Sequence, residues 1–522
     1  MNYRIKMHRM LPLLCVLCLV LTGCWSSDPL EEENAIDSLI TSGGTDNTEE
    51  DTVAATSFAL PIAADETLDP ILCSDGIQQM LLPLLYEGLF ELDQQFAVHN
   101  VLCSDYTSSA DYTVWTFTLR SGVTFSDGSA LDASDVVYSL QRAKTSERYG
   151  ARLSAVSSIR AQDGQVVITL STANNRFPAL LDIPITSSAS EGERIPAGTG
   201  PYRYAANDNG TASLVRNDTW WKGETLPVDT IPLRTVDEGT TLSYLFSSHE
   251  IQMLVTDYTG NESTSYKGNI SVTDAPTTTM QYLGFNCRSG LFSNAALRRA
   301  FSLGIYRDSI CQAYFSGHAQ SAQFPVSPVS EWYPLELETT YSTEAFTQAM
   351  TEAGYNSGSS RTVDLLVCEG NSFRLSAANA VAASLSVCDV KVRVKALPYA
   401  DYIAALQSGN FDLYYGEVRM TPDFNCSALL QTGGSLNYGG FSDPALDAQL
   451  TTAFSTASSP SGANTTMLET FQEQAPIAVI CFKTQSVVVQ GGVVDEITPT
   501  YNNPFYQLSN WQIHLKGETT HG

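Results

Sequence analysis

The stretch Tyr399–Asp423, YADYIAALQSGNFDLYYGEVRMTPD, constrains the chain most, because it changes from helical to strand period within a few residues. Tyr402, Ile403 and Leu406 share one helical face, and Gly409-Asn410 reads as a helix stop followed by a turn. Phe411, Leu413 and Tyr415 then alternate with Asp412 and Tyr414, the period of a short strand. The strand runs into Gly416 and a charged exit carrying Glu417, Arg419, Pro422 and Asp423. Glycine admits a ligand close to the backbone, and charge just past a strand end suits a binding crevice. The same residues also suit an ordinary helix–strand unit with solvated exit charges.

At 522 residues the chain can bury a large core and form two or more domains. Its 56 acidic and 28 basic residues leave a net charge of −28, which repels phosphate backbones and argues against a nucleic-acid partner. At the N-terminus Arg4, Lys6, His8 and Arg9 precede the apolar run Met10 to Leu21, shorter than a membrane span. The run ends in Leu21-Thr22-Gly23-Cys24, which resembles the bacterial lipobox. A signal peptide over residues 1–23 and lipidation of Cys24 are therefore expected, with an acidic, Ser/Gly/Asn/Thr-rich tether over 24–56. That places the protein outside the cytoplasm, lipid-anchored to the bacterial cell membrane.

Beyond Cys24, eight cysteines remain: Cys73, Cys103, Cys287, Cys311, Cys368, Cys388, Cys426 and Cys481. They show no CxxC or Cys/His zinc spacing, so no metal and no cofactor are expected. Disulfides and scattered buried thiols both fit an even count, and spacing assigns no pairs.

Folded sequence begins near Ser57. Phe58 to Ile62 is strand-like, and a helix carries Ile77, Met80, Leu81, Leu84 and Leu85 towards Tyr86-Glu87-Gly88-Leu89. Tyr112 to Leu119 alternates as a strand, Ser126-Asp127-Gly128 is a tight turn, and Asp132 caps a helix with Val136, Val137, Tyr138 and Leu140. The runs TLDPILCSDGIQQMLLPLLYEGLFELD and WTFTLRSGVTFSDGSALDASDVVYSLQRA resemble the extracellular solute-binding protein family 5, the oligopeptide/dipeptide-binding group. Gly198-Thr199-Gly200-Pro201-Tyr202, Trp220 to Gly223, Tyr282 to Asn286, Leu297 to Ile310 and Phe441 to Asp447 resemble further blocks of that family in the same order. Pro444 sits where a helix takes proline in its first turn.

The resemblance implies a mixed α/β, two-lobed, periplasmic-binding-protein-like fold of type II, a Venus flytrap with an extra β-rich subdomain in lobe one. Lobe one would cover 57–279, with the β-rich subdomain at about 100–197, and lobe two 280–490. Residues 491–522 would return to lobe one and form the tail. The chain would cross the hinge near Tyr282–Asn286 and again near Val489–Ile497. It implies a monomer that encloses a peptide-like solute by hinge closure and delivers it to ABC permease subunits with separate ATPases. A solute sensor of the same fold is the alternative.

Peptide-binding members carry GWxxDxxDP after the central strand, where this chain reads Gly416-Glu417-Val418-Arg419-Met420-Thr421-Pro422-Asp423. Glu417 replaces the tryptophan and Met420 the amine-binding aspartate, while Asp423 falls on the second acid. The expected site is therefore Tyr414, Tyr415, Gly416, Glu417, Arg419, Asp423 and Tyr438. Arg419 and Glu417 would orient an anionic or zwitterionic solute, or else pair with each other. A hydrolase lacks its parts: HExxH, GxSxG and the P-loop pattern do not occur, and the six histidines are scattered. No catalytic residue is expected, and the chain reads as a binding protein rather than an enzyme.

Overall fold

The computed structural model describes residues 55–516, apart from 207–209, 262–263, 357, 359 and 458. The expected signal peptide, Cys24 and nearly all of the tether lie outside the described residues.

Two long strands, Ile270–Phe285 and Ile477–Gln490, organise the fold. They pair antiparallel over most of their length, with the register shifting between Pro276 and Met280. Before the shift, the partner segment Ser486–Val489 also pairs with Met253–Thr256. Beyond it, Thr279–Phe285 pairs with Leu413–Arg419, followed outward by Arg361–Cys368 and Val390–Leu397. The resulting seven-stranded sheet, with Ala319–Ser321 on its flank, is shared by the two lobes.

In the larger part of that sheet, helices cover both faces. Ala295–Leu303, Arg307–Tyr314, Thr343–Glu352 and Ser372–Leu385 bury Leu297, Phe301, Ile310, Phe346 and Val381 against one face. Tyr399–Ser408, Pro444–Ser455 and Ala463–Gln474 bury Tyr402, Leu406, Leu450 and Met467 against the other. Inner strands covered on both sides read as apolar runs, and Ile477–Gln490 does so at Ile477 to Phe482 and Val487 to Val489, with Lys483-Thr484-Gln485-Ser486 between.

In the other lobe a four-stranded sheet, ordered Leu60–Ala63, Thr230–Val236, Ala212–Arg216 and Tyr202–Ala206, packs with the helix Gly76–Leu85. Its core takes in Val487, Val489 and Trp511, so the C-terminal segment closes this layer. A second, antiparallel four-stranded sheet runs Cys103–Ser108, Val114–Leu119, Gln165–Leu170 and Val156–Gln162, with the helix Ala133–Thr145 packed on it. That helix starts where Asp132 accepts from the Ser134 amide at 2.6 Å and Asp135 accepts from the Asp132 amide at 3.0 Å, a reciprocal cap.

Candidate functional site

The site is built where the strand Leu413–Arg419 ends beside the β-rich subdomain. Phe411 and Leu413 anchor this strand in the core, Gly409 closes the preceding helix in the left-handed conformation, and strand alternation puts Glu417 and Arg419 on one face.

Glu417 does not pair with Arg419. Its carboxylate accepts from Gln281 Nε2 at 2.7 Å and faces Arg374 Nη1 at 3.5 Å. Gln281 in turn accepts from the Tyr415 hydroxyl at 2.6 Å, which orients its amide. Arg419 makes no ion pair among the described residues. It is solvent-exposed, and Tyr149, Tyr501, Arg148 and Arg152 lie within electrostatic reach of it. Burial, countered by Tyr501 and reinforced by the like charges of Arg148 and Arg152, pulls its guanidinium below the ordinary value.

The opposing wall comes from the turns after helix Ala133–Thr145 and from the C-terminal segment. Buried Asp182 is its hub: it accepts from Arg152, from the Tyr501 hydroxyl and from Asn502 Nδ2, the last at 2.6 Å. Arg152 also donates to the Leu180 carbonyl at 3.0 Å. A cavity of about 400 Å³ adjoins Asp182, lined also by Arg148, Tyr149 and Asn502 and reaching Tyr506 and Trp220; Arg419 is not among its lining residues. The cavity is concave and its wall is largely polar, with Tyr149, Tyr506 and Trp220 as its aromatic part, so it can hold a polar small molecule.

The remaining expected residues take other places. Tyr414 is buried and meets the rings of Tyr282, Phe411 and Tyr438 at 5.7, 5.1 and 6.3 Å. Tyr415 is buried on the opposite face of the sheet, among Leu283, Phe285 and Ile480. The space over Gly416 holds the Tyr282 ring. Asp423 is buried and accepts from Asn174 Nδ2 at 2.8 Å, while its backbone carbonyl faces Arg176 Nη1 at 3.3 Å. Tyr438 is half-buried, and its carbonyl accepts from Arg288 at 2.7 Å. The structure thus brings Arg419 near Tyr149 and Tyr501, holds Glu417 against Gln281 and Arg374, and packs Tyr414, Tyr415, Gly416 and Asp423 into the interior.

Four residues of the recess escaped the sequence reading: Arg148, Arg152, Asp182 and Tyr501. The available signal was ERYGAR, two arginines four apart around a tyrosine directly after a helix, in a chain short of basic residues. Among the described residues no cluster of His, Cys, Asp and Glu could hold a metal, all eight cysteines are free thiols, and no helix is long and apolar enough to cross a membrane.

The chain matches the family of bacterial extracellular solute-binding proteins, family 5 (middle), over residues 97–437. It is 28% identical over 312 residues to the glutathione-binding protein GsiB of Salmonella paratyphi A, covering 57% of this chain and 61% of that protein. The GsiB protein of Escherichia coli K12 is 27% identical over the same shares. The match therefore spans less than two thirds of the length of these relatives. Among solved structures, the unliganded open form of the periplasmic murein tripeptide-binding protein MppA superposes with a TM-score of 0.72 at 19% identity, covering 88% of this chain and 98% of that one. A nickel ABC transporter structure from Bacillus halodurans gives 0.71 at 19% identity, with 86% and 98% covered. These structures share the fold, two lobes of mixed α/β structure.

Proposed function

Because the chain belongs to the bacterial extracellular solute-binding proteins of family 5, we propose that it captures a small peptide-like solute between its lobes and delivers it to the permease of an ABC importer. The solute is anionic or zwitterionic. The observation that carries this reading is Arg419: an exposed cation at a strand end, without an ion-pair partner among the described residues, near Tyr149 and Tyr501. A guanidinium in such a place is a ready bidentate partner for a carboxylate. Glu417, fixed by Gln281 and Arg374, sits on the same strand face and suits a cationic group of the same guest. Tyr414, Tyr415 and Gly416 stiffen the strand behind them, and Tyr438 closes its edge.

In this reading the protein is monomeric and hangs from the membrane by lipid on Cys24, and separate subunits supply the ATPase. The names of the relatives, which bind glutathione, a murein tripeptide or serve nickel transport, fit solutes of this size. Two measurements test the proposal together. Protein purified from its host should release a co-purified small solute on denaturation, identified by mass spectrometry. Deleting the gene should abolish uptake of that solute in labelled form. Solute present but uptake unchanged would favour a sensor, and absence of any solute together with unchanged uptake would overturn capture itself.

A further inference from the structure

Resting on that reading of the recess, we infer that its guest carries at least two carboxylates, because three guanidiniums meet there against a single acid. Arg148 and Arg152 flank the same phenol, their Cζ atoms 5.1 and 5.6 Å from the centroid of Tyr149. Arg419 lies within electrostatic reach of that tyrosine and both arginines. Among the described residues Asp182 is the only carboxylate bonded into the group, and Arg152, Tyr501 and Asn502 already share it. It neutralises one cation. Arg148 and Arg419 form no ion pair among the described residues.

The shortage of acids is local. The chain as a whole has twice as many acidic as basic residues, so leaving two guanidiniums unmatched in one recess runs against its composition. Of the cavity's other acids, Glu87 accepts from Trp220 and Trp221, Glu91 lies 4.0 Å from Lys222, and Glu224 follows that lysine by two residues. Donors are also left over beside the recess. Arg148 Nη1 and Arg152 Nε are buried and have no hydrogen-bond partner. Buried donors call for acceptors, and carboxylate oxygens on a guest would supply them.

The placement has a mechanical consequence. Arg419 ends the strand Leu413–Arg419, whereas Arg148 and Arg152 follow the helix Ala133–Thr145, so like charges on separate elements act on one another. Their repulsion opposes closure around nothing, or around a neutral guest, and a dianionic guest converts it to attraction on both sides.

The test exposes the full-length protein and its Arg148→Gln variant to one equimolar pool of tripeptides and organic acids, with zero to three carboxylate charges beyond the first. Compounds retained after gel filtration are then quantified by mass spectrometry, and thermal melts confirm that the variant is folded. Wild type should retain the compounds with two or more carboxylates at least about tenfold over single-carboxylate analogues of equal size. Arg148→Gln should lose most of that preference. Equal retention of single-carboxylate analogues, or a preference unaltered in the variant, would overturn the inference and leave solute capture standing. No retention of any compound would remove both.

Discussion

Tyr282 and Gly416 are register partners on adjacent strands, and the tyrosine ring lies so close over the glycine that a Cβ there would come within 2.4 Å of its Cζ. The relationship is reciprocal: Gly284 faces Tyr414, and a Cβ on Gly284 would lie 2.1 Å from that ring. The two rings meet edge to face at 5.7 Å, locking the central strand pair behind the recess. Gly416→Ala should therefore destabilise the fold by about 1–3 kcal/mol through overpacking. Chemical denaturation checks this, and an unchanged midpoint would show that the ring moves aside freely.

Asn174 and Asp423 join the β-rich subdomain to the loop that leaves the central strand, through a hydrogen bond of 2.8 Å. Both are buried. Asp423→Ala strands the Asn174 amide, along with the Thr421 hydroxyl that also donates to Asp423. The expected loss is about 1–3 kcal/mol, the usual cost of an unmatched buried polar group. Removing both partners in Asn174→Ala/Asp423→Ala should cost less than the sum of the single changes, as a double-mutant cycle would show.

Arg176 fastens the same junction. Its guanidinium lies 3.6 Å from the centroid of Trp332 and donates to Asn464 Oδ1 at 2.7 Å. Burial, eased by Asp423, lowers its pKa to about 10, so it stays charged at neutral pH. Arg176→Ala removes both the packing and the cation, and should cost about 3 kcal/mol or more in thermal or urea unfolding. A loss below about 0.5 kcal/mol would mean that this junction holds without it.

These predictions mark what could be read from the sequence and what could not. Caps and periods are local, so the Asp132 cap, the helix Tyr399–Ser408 with its Gly409 stop, and Pro444 opening its helix were all legible. Gly416 was legible as a place of close approach, but a sequence does not say whether a ligand or a tyrosine fills the space, and here Tyr282 does. Arg298 and Arg307 were visible as residues of a recurring block, yet their work is to bind carbonyls in the core: Arg298 those of Phe292, Gln474 and Ala475, and Arg307 those of Ala322 and Val479. The recess escaped for the opposite reason. Arg148, Arg152, Asp182 and Tyr501 come from segments distant from the expected Arg419, and only the folded sheets bring them near it.

At the register shift of the long strands, Asp274 binds His318 Nδ1 at 3.0 Å and accepts from Ser486 and Thr484 at 2.6 and 2.9 Å. Burial alone would raise its pKa, but these hydrogen bonds outweigh it and hold the carboxyl below the ordinary aspartate value. A carboxylate depressed in the folded state stabilises the fold above its unfolded value and loses that contribution as pH falls through the folded one. Wild type should thus lose stability relative to Asp274→Asn as pH drops below about 4. Unfolding curves for both proteins between neutral pH and acid check it; a constant difference across that window would refute the assignment.

The central claim is that Arg419 meets the solute. Calorimetric titration of Arg419→Ala with the solute recovered from the native protein tests it most directly. The account predicts affinity at least about tenfold weaker than wild type, with an unchanged melting temperature. Equal affinity for the two proteins would contradict it.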